Sequence, residues 1–228
     1  MKCEWIVRHG GRDVVLFFNG WGMDSRIARW LQQQGPLPGG VDLLSCHDYR
    51  EPLLPLRHRQ QLEAYEHVTV VSWSLGVAAA QQSGLERVDR AVAFNGTLQP
   101  VGRERGILPE VFQATLDNWS EENRERFLRR ICGSRQQRAL FQSALPDRGI
   151  DDQKEELQAL QQRLSENGTT GDPGWEYTCA VIGGKDMIFL PAAQKAAWEG
   201  VRLQVEPSMP HVPWFAFRGW GEVLACIC

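Results

Sequence analysis

Apolar residues fall into short runs separated by polar, Gly- and Pro-rich breaks. Residues 4–8 read as a short strand and Gly10-Gly11 as a turn. Asp13–Phe18 (DVVLFF) is a continuous apolar run of the kind buried on both faces of a parallel sheet. Further strands are expected at 41–44, 68–71, 89–94, 177–182 and 201–205. Helices are expected at 25–33, at 57–66, from Gly76 to about Gly84, and at 191–198. Strands alternating with helices imply a mostly parallel, doubly wound α/β sheet, whose functional groups sit on loops at the strand C-termini.

That alternation breaks between residues 100 and 170, where apolar strands vanish and Arg, Glu and Gln dominate. Ser120-Glu121-Glu122 opens a helix that runs to Ile131 and stops at Gly133. Ser134 with Gln137 fits a capping box for a second helix to about Leu145. A third starts at Asp151 and Asp152 and runs to Leu164, with Leu157, Leu160 and Leu164 at helical spacing. The expected organisation is a core of residues 1–99 and 171–228, with a helical lid inserted at 100–170. Residues 168–174 form the loop back to the core.

The stretch VTVVSWSLGVAAA narrows the chemistry. A β-branched run leads through Ser72-Trp73-Ser74-Leu75-Gly76 into an Ala-rich helix former, the small-x-Ser-x-Gly form of a nucleophile elbow. A serine pushed out on so sharp a turn needs small neighbours two residues before and after it. The plain alternative is a strand–helix turn with two capping serines. After the strand Asp13–Phe18, Asn19-Gly20-Trp21-Gly22 has neither a dinucleotide nor a P-loop pattern. Its expected use is to turn backbone N–H groups toward an oxyanion; a plain tight turn is the alternative.

Asp186 follows Gly183-Gly184 at a strand end, and His211 lies past the last strand between Pro210 and Pro213. Ser, Asp, His is the α/β-hydrolase chain order. Ser74 would attack, His211 would take and return the proton, and Asp186 would orient the imidazole. The N–H groups of Trp21 and Leu75 would hold the oxyanion. Asp186 could instead cap the following helix. Asp147, Asp151 and Asp152 are rival acids in or beside the lid. His9, His47, His58 and His67 precede the elbow and are expected to face solvent.

Composition removes several classes. In 228 residues, 43% hydrophobic and 23% charged content supports a sizeable soluble core, and a net charge of −3 gives no case for nucleic acid or a membrane surface. The N-terminus lacks the apolar stretch of a signal peptide, and no run is long enough to span a bilayer. Six cysteines without C-x-x-C spacing argue against a metal site and for free thiols in a reducing cytoplasm. The expectation is a cytoplasmic monomer without cofactor.

LFFNGWGMD, VVSWSLGVAAA, AFNGT, FLRRICG and PHVPWF, in that order along the chain, resemble the BioG-type pimeloyl-[acyl-carrier protein] methyl ester esterases of bacterial biotin synthesis. The resemblance implies an α/β-hydrolase core with a helical lid. It also implies hydrolysis of the distal methyl ester of a pimeloyl chain on acyl carrier protein, with Ser74, Asp186 and His211 as the triad and Trp21 and Leu75 at the oxyanion hole. Asn19 stands where many hydrolases have His. Arg124, Arg126, Arg129, Arg130, Arg135 and Arg138 give an acidic chain one local basic stretch suited to an acidic carrier protein. Interleaved Glu121, Glu122 and Glu125 fit a plain solvated helix equally. Trp21, Trp73 and Phe141 are candidates to line an acyl tunnel. The alternatives are a thioesterase or small-ester hydrolase of the same fold, or a non-catalytic scaffold that binds a carrier protein.

Overall fold

The computed structural model describes residues 1–166 and 174–226. Among these, seven strands form one sheet: β1 (Lys2–Val7), β2 (Asp13–Phe18), β3 (Val41–His47), β4 (His67–Trp73), β5 (Arg90–Phe94), β6 (Cys179–Gly183) and β7 (Arg202–Glu206). Their spatial order is β1-β3-β2-β4-β5-β6-β7. Every pairing is parallel except that of β1 with β3. The helices are α1 (Arg26–Gln34), α2 (Leu56–Leu62), α3 (Gly76–Gln81), α4 (Pro109–Asp117), α5 (Glu121–Cys132), α6 (Arg135–Phe141), α7 (Ile150–Glu166), α8 (Pro191–Ala197) and α9 (Trp220–Ala225). None of the described helices is long and apolar enough to cross a membrane.

Alternation along the central strands builds two cores. Val14, Leu16 and Phe18 of β2 face one side with Val68, Val70, Ala91 and Ala93, where Leu62 of α2 and Val77 and Ala80 of α3 also pack. Val15 and Phe17 face the other side with Val71, Trp73, Val92 and Phe94, under α1 and α9. Both faces being covered explains why these strands read as continuous apolar runs.

Helices α4 to α7 lie between β5 and β6 in the chain and span both cores. Phe112, Leu116, Leu157 and Leu160 join the first, and Leu128, Ile131, Cys132 and Phe141 the second. The caps follow sequence chemistry. Ser120 accepts from the Asn123 N–H, Gly133 ends α5 at φ 73°, and Ser134 accepts from the Gln137 N–H.

Differences from the sequence reading are local. Helix α2 ends at Leu62 rather than Glu66, and β3 runs three residues beyond Leu44. Helices α4 and α9 were not anticipated; α4 opens on Pro109, a favoured first helical residue. The 170/171 boundary, and most of the expected loop 168–174, lie outside the described residues. His58 does not face solvent: it is buried, with its ring 6.4 Å from that of Trp5.

An ionic cluster ties the insertion to the core. Arg148 bonds Glu156 and Asp152 of α7 at 2.5 and 2.6 Å, and Arg50 bridges Asp48, Asp152 and Glu155. Burial alone would raise the Asp48 carboxyl, but hydrogen bonds from Arg50 and Lys2 hold it well below the usual carboxylate range. A carboxyl depressed in the folded state stabilises above the unfolded value of about 4, and that contribution fades as pH falls below it. Melting temperature should therefore drop as pH is lowered from about 5 to about 3, less steeply in Asp48→Asn than in wild type. Parallel slopes in thermal melts of the two proteins would contradict this.

Candidate active site

The sheet places Ser74 just past the C-terminal end of β4 and two residues before the start of α3, in a left-handed conformation with φ 60°. Such a conformation is costly for serine and persists only where the surroundings enforce it. Here the enforcement is steric. A Cβ on Gly76 would lie 2.3 Å from the Asn19 carbonyl oxygen and 2.6 Å from that of Phe18. The start of α3 is thus pressed against the end of β2. Ser72 fits the other small position, with its Oγ 2.8 Å from the Tyr177 hydroxyl.

His211 Nε2 lies 3.0 Å from Ser74 Oγ, and its Nδ1 lies 2.9 and 3.0 Å from the two carboxylate oxygens of Asp186. All three side chains are buried. An ionised carboxylate can only accept, so Nδ1 carries the proton and Nε2 is left to accept from the serine hydroxyl. Asp186 is held in turn by the N–H groups of Ile188 and Phe189 and by Gln194 Nε2. The arrangement can move a proton from Ser74 to His211 while the carboxylate fixes the ring. Asp147 and Asp152 are engaged elsewhere, with Arg26 and with Arg50 and Arg148.

Ser74, Leu75, His211, Gly20, Trp21 and Trp73 line one mostly apolar pocket, with walls from Ile107, Val111, Phe112 and Phe127. Leu75 sits at the start of α3, where a helix has backbone N–H groups without helical acceptors. Trp73 donates from Nε1 to the His211 carbonyl oxygen at 2.8 Å. Phe141 does not line this pocket. It is fully buried beside Phe215, because α6 turns that side toward the core.

The six arginines have different surroundings. Arg130 lines the pocket and donates to the Met187 carbonyl oxygen, and Arg126 and Arg130 line a groove between α4 and α5 that shares Val111, Thr115 and Phe127 with the pocket. Arg124, Arg126 and Arg138 pair with Glu121, Glu122 and Glu125. Arg129 donates to the Glu125 carbonyl oxygen, and Arg135 is exposed. Among the described residues no three His, Cys, Asp or Glu side chains converge as a metal site requires.

Asn95, which the sequence places within AFNGT but gives no role, is a site residue. Its buried amide donates to the carbonyl oxygens of Pro210 and His211 at 2.8 and 2.9 Å and accepts from the Gly183 N–H at 2.6 Å. It thereby ties the His211 loop to β6. The available signal was a polar Asn-Gly pair directly after a buried strand. Asn95→Ala leaves buried backbone groups unpaired and should cost about 1–3 kcal/mol in urea unfolding; unchanged stability would contradict this role.

Residues 1–223 match the family described as pimeloyl-ACP methyl esterase BioG. The crystal structure of BioG from Haemophilus influenzae is similar over 97% of this chain and 99% of that one, at 30% identity and a TM-score of 0.86. A Clostridium acetobutylicum lipase-esterase related protein shares the fold at 13% identity and a TM-score of 0.63, covering 99% of both chains. A Bacteroides fragilis protein named malonyl-[acyl-carrier protein] O-methyltransferase is 36% identical over 192 residues, 82% of this chain. The chain spans only 37% of that relative's length. With the match running from residue 1 to 223, and the sheet and elbow described above, this chain belongs to the BioG family and has the α/β-hydrolase fold.

Proposed function

We propose that this protein is a cofactor-free serine carboxylesterase that removes the methyl ester from pimeloyl-acyl carrier protein. The observation that carries this reading is the hydrogen-bonded line Ser74–His211–Asp186 at the wall of an apolar pocket, in a chain of the BioG family. His211 Nε2 takes the Ser74 proton as Oγ attacks the ester carbonyl. The N–H groups of Trp21 and Leu75 receive the oxyanion, each such donor being worth about 2.7–4 kcal/mol in related enzymes. Collapse breaks the C–OCH₃ bond, and His211 returns the proton so that methanol leaves. Water, deprotonated by His211, then hydrolyses the acyl-Ser74 and frees the carboxylate.

The apolar walls suit a methylene chain better than a charged one, which favours the ester over its product. The groove between α4 and α5 continues the pocket outward past Arg126 and Arg130. That path suits an acyl chain reaching in from a carrier protein seated on the basic stretch. Three arginines there are matched by glutamates, so Arg129, Arg130 and Arg135 supply most of the local positive field. The name of the Bacteroides fragilis relative supports the same reading, since O-methylation of a malonyl group on acyl carrier protein forms the class of bond, a methyl ester on a carrier-bound acyl chain, that this site would break.

The test is hydrolysis of pimeloyl-acyl carrier protein methyl ester followed by intact mass. Wild type should release the methyl group alone, and Ser74→Ala should lose at least about 10³-fold in kcat. Release of the whole acyl chain from the carrier would make the enzyme a thioesterase, and inactivity of wild type on all esters would leave the scaffold reading. A second prediction concerns the partner. The double change Arg129→Glu with Arg135→Glu should raise KM for the carrier-protein substrate about tenfold at low salt. It should leave turnover of a small soluble ester unchanged. Equal effects on both substrates would remove the carrier from this surface.

A further inference from the structure

We infer that Gln153 and Glu156, on α7 of the insertion, are positioning residues for the oxyanion loop, so that the insertion builds part of the catalytic apparatus. This inference rests on the proposed role of the Trp21 N–H as an oxyanion donor. The loop Gly20-Trp21-Gly22-Met23 carries that donor and has little side-chain mass of its own at its two glycines. Both backbone polar groups of Gly22 are held from α7. The Gly22 N–H donates to Glu156 Oε2 at 3.1 Å, and the Gly22 carbonyl oxygen accepts from Gln153 Nε2 at 2.9 Å. The Trp21 indole Nε1 donates to the Gln153 carbonyl oxygen at 2.8 Å. Both peptide planes flanking Gly22 are therefore fixed by two side chains of one helix.

Those side chains are themselves immobilised. Gln153 is 3% exposed and Glu156 is fully buried. Glu156 Oε1 accepts from the Tyr49 N–H at 2.9 Å, and Oε2 accepts from Arg148 Nη1, which also reaches the Met23 carbonyl oxygen at 3.3 Å. Gly22 has φ 74°, and a Cβ there would stand 3.2 Å from Gln153 Nε2, so the helix side chain packs directly on the glycine. Rotation of either peptide would strip a buried partner and, through the adjoining Trp21 φ and ψ, turn the Trp21 N–H out of the pocket. A donor aimed at the oxyanion acts mainly in the transition state, so its misdirection lowers kcat more than it raises KM.

The test uses the full chain with p-nitrophenyl butyrate as substrate and a phenylboronic acid, which forms a tetrahedral adduct on the serine, as inhibitor. Gln153→Ala and Glu156→Ala should lower kcat about 10- to 100-fold with KM within about threefold, since misplacement by about 1 Å can cost that much. The boronate inhibition constant should rise in step with the fall in kcat. Glu156→Gln, which keeps an acceptor for the Gly22 N–H, should recover part of the loss. Gln153→Ala removes no charge and keeps the test open if Glu156→Ala does not fold. Variants with lower melting temperature but unchanged kcat and boronate affinity would overturn the inference and leave α7 a purely structural support. Full activity in Ser74→Ala would instead overturn the esterase reading on which it stands.

Discussion

The close approach of Gly76 to the Phe18 and Asn19 carbonyl oxygens is the constraint from which the site follows. It presses the start of α3 against the end of β2, next to Ser74 in its left-handed conformation. Because β2 and β4 are hydrogen-bonded neighbours, the same contact brings the Gly20-Trp21-Gly22 loop beside the serine. Backbone packing thus brings Ser74 and the Gly20-Trp21-Gly22 loop together, and the side chains of α7 then hold that loop. The strain at Ser74 is sustained by the two cores beneath it, where Phe17, Phe18, Val70 and Val71 are buried to 2% exposure or less.

Elsewhere in the site, polar chemistry rather than packing does the positioning. Asp186 is fixed by two backbone N–H groups and Gln194, and His211 by Asp186 and by the amide of Asn95 on its loop carbonyl. The insertion adds a third set of constraints through Arg148, Gln153 and Glu156. These side chains are buried, and the hydrogen bonds they make remove the conformational freedom that would blur the geometry. The apolar pocket is the space left between these three supports.

Much of this was legible in the sequence because it is written in local rules. The fully apolar DVVLFF and the Ala-rich stretch after Ser74 announced a buried parallel strand and the elbow helix; Ser120, Gly133 and Ser134 marked helix ends that the structure keeps. The positions of Ser74, Asp186 and His211 followed from loops at strand ends. What stayed hidden depends on tertiary partners. His58 sits in a polar run and gives no sign that Trp5 will cover it. Phe141 looked like a pocket residue on composition, but the direction in which α6 faces is set by its packing beside Phe215. Asn95 and Glu156 act across 116 and 134 residues of chain, on the His211 loop and on Gly22, and no short-range pattern encodes such pairings.

Every step of the proposed reaction requires that Ser74 be the group that becomes acylated. The most direct measurement is peptide mapping by mass spectrometry after reaction with a fluorophosphonate. A single adduct per chain, located on Ser74 and absent when His211 is replaced by Ala, is the predicted result. An adduct on another residue, or one on Ser74 that forms equally fast without His211, would contradict it.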